Sequence, residues 1–318
     1  MIDLTRVERA IDTLLIESKG EINSRIEKVS FGVSVPDTES LGHCYFLKTD
    51  ANGNLRLRDL IEFIDEKIVE YAIPKKEIDE AKTYQDETGS PSKTIRLRKK
   101  AECLFTDLEK TGEGGEILLY ILVQEFLKFP QLISKMSLKT SGRLHYQGAD
   151  GVHVSYDKVT KALNLYWGEA KMYADINQAI SSCFSSIAGF LTNPYSYKSI
   201  QERDLQLITS NLSDNVNDSE LEDVLVRYFD KDDDLSNNLL YKGVCFIGFD
   251  SDKYPDESSV KKKTEEIKKE IEGEINSWHK KLSKKIKDNN LELKEIHIFL
   301  MPFPSVAEFR KYYLEEVK

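Results

Sequence analysis

The segment Leu163-Asn164-Leu165-Tyr166-Trp167-Gly168-Glu169-Ala170-Lys171 constrains this chain more than any other stretch. Its odd positions read Leu, Leu, Trp, Glu, Lys. Successive strand residues point to opposite faces, so Glu169 and Lys171 continue the face that Leu163, Leu165 and Trp167 bury. Upstream, Asp150, Val152, Val154 and Tyr156 share one face by the same rule. An antiparallel pairing with Tyr156 opposite Leu163 sets Val154 against Leu165, Val152 against Trp167 and Asp150 against Glu169. Opposed residues have Cβ atoms roughly 5 Å apart, and like charges there repel. Two carboxylates ending a buried face are costly without compensation, and a divalent cation is the natural one. No Asn-Gly or Asp-Gly turn between Asp157 and Ala162 fixes this register. A slip of two residues keeps the face and loses the opposition.

The flanking patterns predict an α/β fold, a mixed central sheet flanked by helices. Val7, Ile11, Leu14 and Leu15 recur at helical spacing within residues 1–20. Strands are expected over 26–35 and 43–48, an amphipathic helix over 55–71, and a short helical piece from Pro74. Residues 87–92 read as a loop. A helix is expected to end near Glu109, with 110–115 as a glycine-bearing break. Glu116 then opens 117–123, apolar almost all round and therefore a buried helix. Residues 132–139 read as extended, 176–191 as a helix and 211–217 as a loop. The tail alternates: strand 243–249, charged helix 257–287, strand 295–301, helix 306–317. That order adds strands to the same sheet. The expected division is an N-terminal α/β region at 1–90 with a possible partner-binding role, a catalytic core at 91–240 and a C-terminal extension at 241–318.

Composition narrows the function. The chain has 318 residues, 40% hydrophobic and 31% charged, enough for a sizeable core. No stretch approaches the roughly 20 apolar residues that span a bilayer, and Met1 to Arg6 lacks a signal-peptide layout. Cys44, Cys103, Cys183 and Cys245 show no CxxC spacing, so neither a zinc site nor a disulfide framework is indicated and a reducing cytoplasm is expected. The net charge of −10 argues against tight, autonomous nucleic-acid binding. Basic runs at 93–100 and 261–263 read equally well as solvated helix faces. The acidity suits a catalytic subunit delivered to its substrate by a partner. No P-loop or GxSxG pattern occurs, so no nucleotide is expected on this chain and any ATP use lies in a partner. His43, His145, His279 and His297 have no metal-ligand spacing. His153 falls on the face opposite Asp150 and reads as structural.

Acid-x-Lys triplets also occur at 65–67, 80–82, 266–268 and 292–294, mostly in helical or exposed settings. Glu169-Ala170-Lys171 differs in its apolar parity, in Asp150 on the paired strand and in the helix-borne Glu116 before both. That order resembles the PD-(D/E)xK nuclease superfamily over roughly residues 100–190, with Ala149 where the family's name has proline. The wider context, from Gly115-Glu116 through Gly148-Ala149-Asp150-Gly151 to Gly168-Glu169-Ala170-Lys171, is similar to the HamA family, the nuclease subunits of Hachiman antiphage defence. The resemblance implies a restriction-endonuclease-like core, Mg²⁺ (or Mn²⁺) as cofactor, DNA as substrate and a helicase partner, HamB. It makes Asp150 and Glu169 the main metal ligands, with the Ala170 carbonyl a further oxygen. Lys171 is expected to orient or deprotonate water and to offset phosphoryl charge. Glu116 becomes an additional ligand or a water-positioning base, although a carboxylate is also favoured at a helix start by the macrodipole. Glu113, one turn earlier, is its substitute. Gln178 is a weaker candidate for substrate contact or a capping residue, and Tyr173 either packs beside the site or covers the sheet edge. Two other functions compete: a restriction or repair nuclease with another partner, and a non-catalytic adaptor that binds a helicase.

Overall fold

The computed structural model describes residues 4–16, 19–105, 112–133, 136, 148–192, 200–216, 218–255 and 261–316. The helix end expected near Glu109, His145 and the 132–139 segment beyond Ile133, Met136 apart, lie outside them. In chain order the elements are α1 (Leu4–Asp12), β1 (Ile26–Ser34), β2 (Leu41–Leu47), α2 (Leu57–Glu66), α3 (Ile68–Ala72), α4 (Lys75–Thr88), α5 (Ser92–Glu102), α6 (Glu113–Leu122), β3 (Gln131–Ile133), β4 (Gly151–Asp157) and β5 (Ala162–Tyr173). There follow α7 (Ile176–Leu191), α8 (Ile200–Ser210), α9 (Leu212–Asn215), α10 (Ser219–Phe229), β6 (Leu239–Asp250), α11 (Thr264–Asp288), β7 (Ile296–Phe303) and α12 (Val306–Glu316).

One seven-stranded mixed sheet runs in the order β1-β2-β7-β6-β5-β4-β3. The tail strands β6 and β7 fill its centre, parallel to β5 and to β2. Helices α7 and α11 pack side by side, α7 against β5 and β6. Helix α6 also touches β5 and β6 and is joined by α2, while α12 packs on α2 and β6. Central parallel strands covered on both faces carry near-continuous apolar runs, as in Gly243-Val244-Cys245-Phe246-Ile247-Gly248-Phe249.

The anticipated β4–β5 register is the observed one: Tyr156 pairs with Leu163, Val154 with Leu165 and Val152 with Trp167. The turn fixes it without a glycine. Asp157 Oδ1 accepts the N–H of Val159 at 2.8 Å, and Lys161 takes the left-handed conformation (φ 58°). Alternation gave the face correctly but underestimated the covering of β5, whose even positions 164–172 are buried too.

Four local expectations need correction. The 55–71 helix is two helices, broken at Lys67. The 87–92 loop is the tight join between α4 and α5, turned by Gly89 at φ 70°. Residues 211–217 contain the short α9. The break at 110–115 is misplaced, because α6 starts at Glu113 and runs through Gly114 and Gly115. A Cβ at Gly114 would lie 2.9 Å from Phe309 Cε1, and one at Gly115 3.1 Å from Met172 Sδ. These glycines permit close packing inside a helix. The charged tail helix begins at Thr264, where Glu266 Oε2 accepts the Lys263 N–H at 2.7 Å.

Candidate functional site

Strand β4 ends its pairing at Gly151 opposite Gly168, whereas β5 continues to Tyr173. Residues 169–173 stay paired to β6, from Glu169 with Cys245 to Tyr173 with Phe249. The β4 side of this extension is occupied by Asp150. Its N–H donates to the Gly168 carbonyl at 2.9 Å, and its Oδ2 accepts the Ala170 N–H at 2.9 Å. A carboxylate here replaces the next rung of the ladder. The N–H and C=O of one strand residue point to the same side, so the Ala170 carbonyl also faces this edge.

Asp150 and Glu169 are buried, 8% and 5% exposed. Lys171 supplies the countercharge: its Nζ pairs with Glu169 Oε1 and lies 3.3 Å from the Ala170 carbonyl. Burial works against the Lys171 charge, but the Asp150 and Glu169 carboxylates outweigh it and hold its pKa above the ordinary lysine value. The amine is therefore an ammonium at neutral pH. This suits charge compensation beside the two carboxylates.

The two helix glutamates reach the site differently. Tyr71 Oη on α3 lies 3.1 Å from Glu116 Oε2 and 3.3 Å from the Asp150 carbonyl oxygen. Burial, and then Glu116, push the Tyr71 pKa well up, so the hydroxyl keeps its proton and donates. Glu116 thus meets the Asp150 backbone through a tyrosine. Glu113, 4% exposed, is buried near Tyr71 and Tyr313. Of the weaker candidates, Gln178 has an exposed side chain, and its N–H is capped by Asp175 Oδ1 at 2.8 Å. Tyr173 is half-buried, its hydroxyl 3.5 Å from Ser182 Oγ. His153 lies on the opposite face, Nδ1 3.0 Å from the Phe129 carbonyl.

The sequence reading missed three supports. Asp204 on α8, 3% exposed and paired with Arg203, accepts the Ala149 N–H at 3.2 Å and so fixes the approach to Asp150. Tyr71 links α3 to both acids. Cys183 on α7 backs the Glu169 carbonyl at 3.6 Å. None of the three left a local signal, because each reaches the site through tertiary packing.

The donor set is two buried carboxylates and a strand carbonyl, hard oxygens of the kind Mg²⁺ takes. Among the described residues no three His, Cys, Asp or Glu side chains converge tightly enough to hold a metal by themselves. The fit to a cation therefore rests on Asp150, Glu169 and the Ala170 carbonyl, with Glu116 held one hydroxyl away. No helix among the described residues is long and apolar enough to cross a membrane.

No curated protein matches the chain. A family model, HamA, matches residues 23–317, which takes in β1 to α12 and every residue of the candidate site. Spanning the sheet, both helix layers and the acid–lysine edge, that match shows that the chain belongs to the HamA family.

Proposed function

We propose that this chain is the Mg²⁺-dependent DNA endonuclease of a Hachiman antiphage defence system, with a PD-(D/E)xK site and a helicase partner. The observation that carries the reading is the β5 edge beyond Gly168, where Asp150, Glu169, Lys171 and the Ala170 carbonyl meet. A packing role alone gives no reason to bury two carboxylates there. Family membership supports the defence setting.

Asp150, Glu169 and the Ala170 carbonyl would hold Mg²⁺, which supplies Lewis-acid polarisation of the phosphoryl oxygen and an acidified water. The remaining chemistry falls to the chain's own groups. Lys171, paired with Glu169 and beside the Ala170 carbonyl, offsets the charge that grows on the phosphoryl oxygens. Tyr71 holds Glu116 against the Asp150 backbone, where its carboxylate can orient a water. Asp204 and the Asp150–Ala170 hydrogen bond keep the acidic loop in place, which limits the reorganisation needed on binding. The net charge of −10 makes delivery by a DNA-translocating partner physically reasonable.

The test is co-purification with the proposed helicase partner, followed by DNA cleavage with and without Mg²⁺ and ATP. Cleavage that requires Mg²⁺ is expected. A stable complex with the helicase that cuts no DNA under any of these conditions would instead assign the chain an adaptor role.

A further inference from the structure

We propose that Arg310 is a second phosphate-contacting cation of this site, gripping the backbone of the DNA strand that runs along the β5 edge. The inference rests on the nuclease reading and extends it to a residue 139 positions after Lys171.

Gly168 and Ala170 turn their polar groups to the side that β4 leaves after Gly151, as their bonds to Asp150 show. Met172, two residues on, faces the same way, and its carbonyl accepts from Arg310 Nη2 at 2.5 Å. Two residues of strand cover roughly 7 Å. Lys171 Nζ and Arg310 Nη2 thus sit on consecutive edge carbonyls, those of Ala170 and Met172. The carboxylates lie at the near end of this row and the guanidinium at the far end. A polyanion following the edge meets the two cations in sequence.

Arg310 is built in firmly. The first turn of α12 is capped by Asp250 Oδ1, which accepts the Val306 N–H at 2.6 Å. Phe309 and Tyr313, each 1% exposed, pack on Gly114 at the start of the helix that carries Glu113 and Glu116. Arg310 itself is half-buried. Arg56, Arg98, Arg203 and Arg227 are each paired with a carboxylate, but Arg310 has no such partner among the described residues. One of its five N–H groups satisfies Met172, and a planar fork of donors remains suited to a phosphate.

The competing role is a structural pin on the Met172 carbonyl. Arg310→Gln separates the two, since glutamine retains an N–H donor for that carbonyl and loses the charge. The experiment measures fluorescein-labelled DNA, single-stranded and duplex, binding to the full chain with its helicase partner in Ca²⁺, across a salt series. Melting temperatures and steady-state cleavage in Mg²⁺ accompany it. Arg310→Gln should weaken binding about tenfold or more, since hydrogen bonds to charged groups are the stronger class. It should also lower the salt slope by roughly 0.7–0.9, the loss of one phosphate contact, and raise KM more than it lowers kcat. Its melting temperature should match the native protein's, and Arg310→Lys should restore the slope. Native binding and slope in Arg310→Gln overturn the proposal, as does an Arg310→Lys variant as weak as Arg310→Gln. Failure of the parent reading looks different: a native complex that neither binds nor cuts DNA removes both.

Discussion

Two buried polar networks lie in the same sheet and obey opposite rules. In the first, between β2 and β7, the Gly32 N–H donates to His43 Nδ1 at 3.0 Å, which leaves His43 Nε2 as donor to His297 Nδ1, also at 3.0 Å. His297 Nε2 lies 3.5 Å from Glu295, which pairs with Lys242 at 2.7 Å. Burial, and then His297, hold the His43 pKa at about 3, so its ring is neutral. Donors and acceptors alternate along this chain, and it ends in an ion pair near the surface. In the second network, at the β5 edge, the buried Asp150 and Glu169 carboxylates face the Lys171 ammonium, and the paired strand β4 stops at Gly151. The first is organised for satisfaction. The second gathers buried charge at the end of a strand, and on the proposed nuclease reading that charge is there for a metal.

The comparison predicts opposite mutational signatures. Asp150→Asn keeps an oxygen for the Ala170 N–H and removes one of two neighbouring like charges. Cleavage should fall about a thousandfold, a loss typical of removing a key electrostatic group, while the melting temperature stays level or rises. A large fall in melting temperature would place Asp150 with the structural network. His297→Ala should do the reverse. Leaving the buried His43 Nε2 without its acceptor, and Glu295 with Lys242 alone, should cost roughly 2–4 kcal/mol in urea unfolding, with cleavage per folded molecule unchanged.

Acid should strike the imidazole network and its neighbour first. Burial lowers the His153 pKa from 6.5 to about 4, and that of His43 to about 3. The unfolded chain then takes up each proton first. Stability is complete above pH 6.5 and falls as the pH drops toward 4, by up to about 1.4 kcal/mol per pH unit for each group. Glu295, held at about 2 first by its hydrogen bond from His297, adds loss in the same direction below its ordinary 4.5. Urea midpoints between pH 7 and 4.5 check this, and His153→Gln should flatten the curve. The smallest effect is expected at Tyr71→Phe. Losing that hydroxyl should cost about 1–2 kcal/mol and lower cleavage about tenfold by freeing Glu116. If stability alone changed, Glu116 would belong to the packing and not to the chemistry.

The fold and the site were unequally legible in the sequence. Period-two parity located Glu169 and Lys171 on one face, because a one-residue slip inverts every side chain of a strand. The expected opposition of Asp150 to Glu169 falls past the ladder's last pair, Gly151 with Gly168. The alternating tail was readable because β6 and β7 carry apolar runs separated by an amphipathic helix. Gly114 and Gly115 misled, since a glycine pair signals a break equally well as a close approach, and Phe309 and Met172 lie far along the chain. Tyr71, Asp204 and Arg310 were invisible for the same reason. They reach the site from 79, 55 and 138 positions away from the residues they bind, and no local pattern encodes such contacts. Sequence located the acids, and tertiary packing chose what orients them.

The most direct test of the account is Glu169→Gln, with DNA cleavage in Mg²⁺ and thermal melting measured on the same preparation of the chain with the proposed helicase partner. The account predicts that cleavage disappears while the melting temperature holds or rises. Full cleavage by a folded Glu169→Gln protein would contradict it.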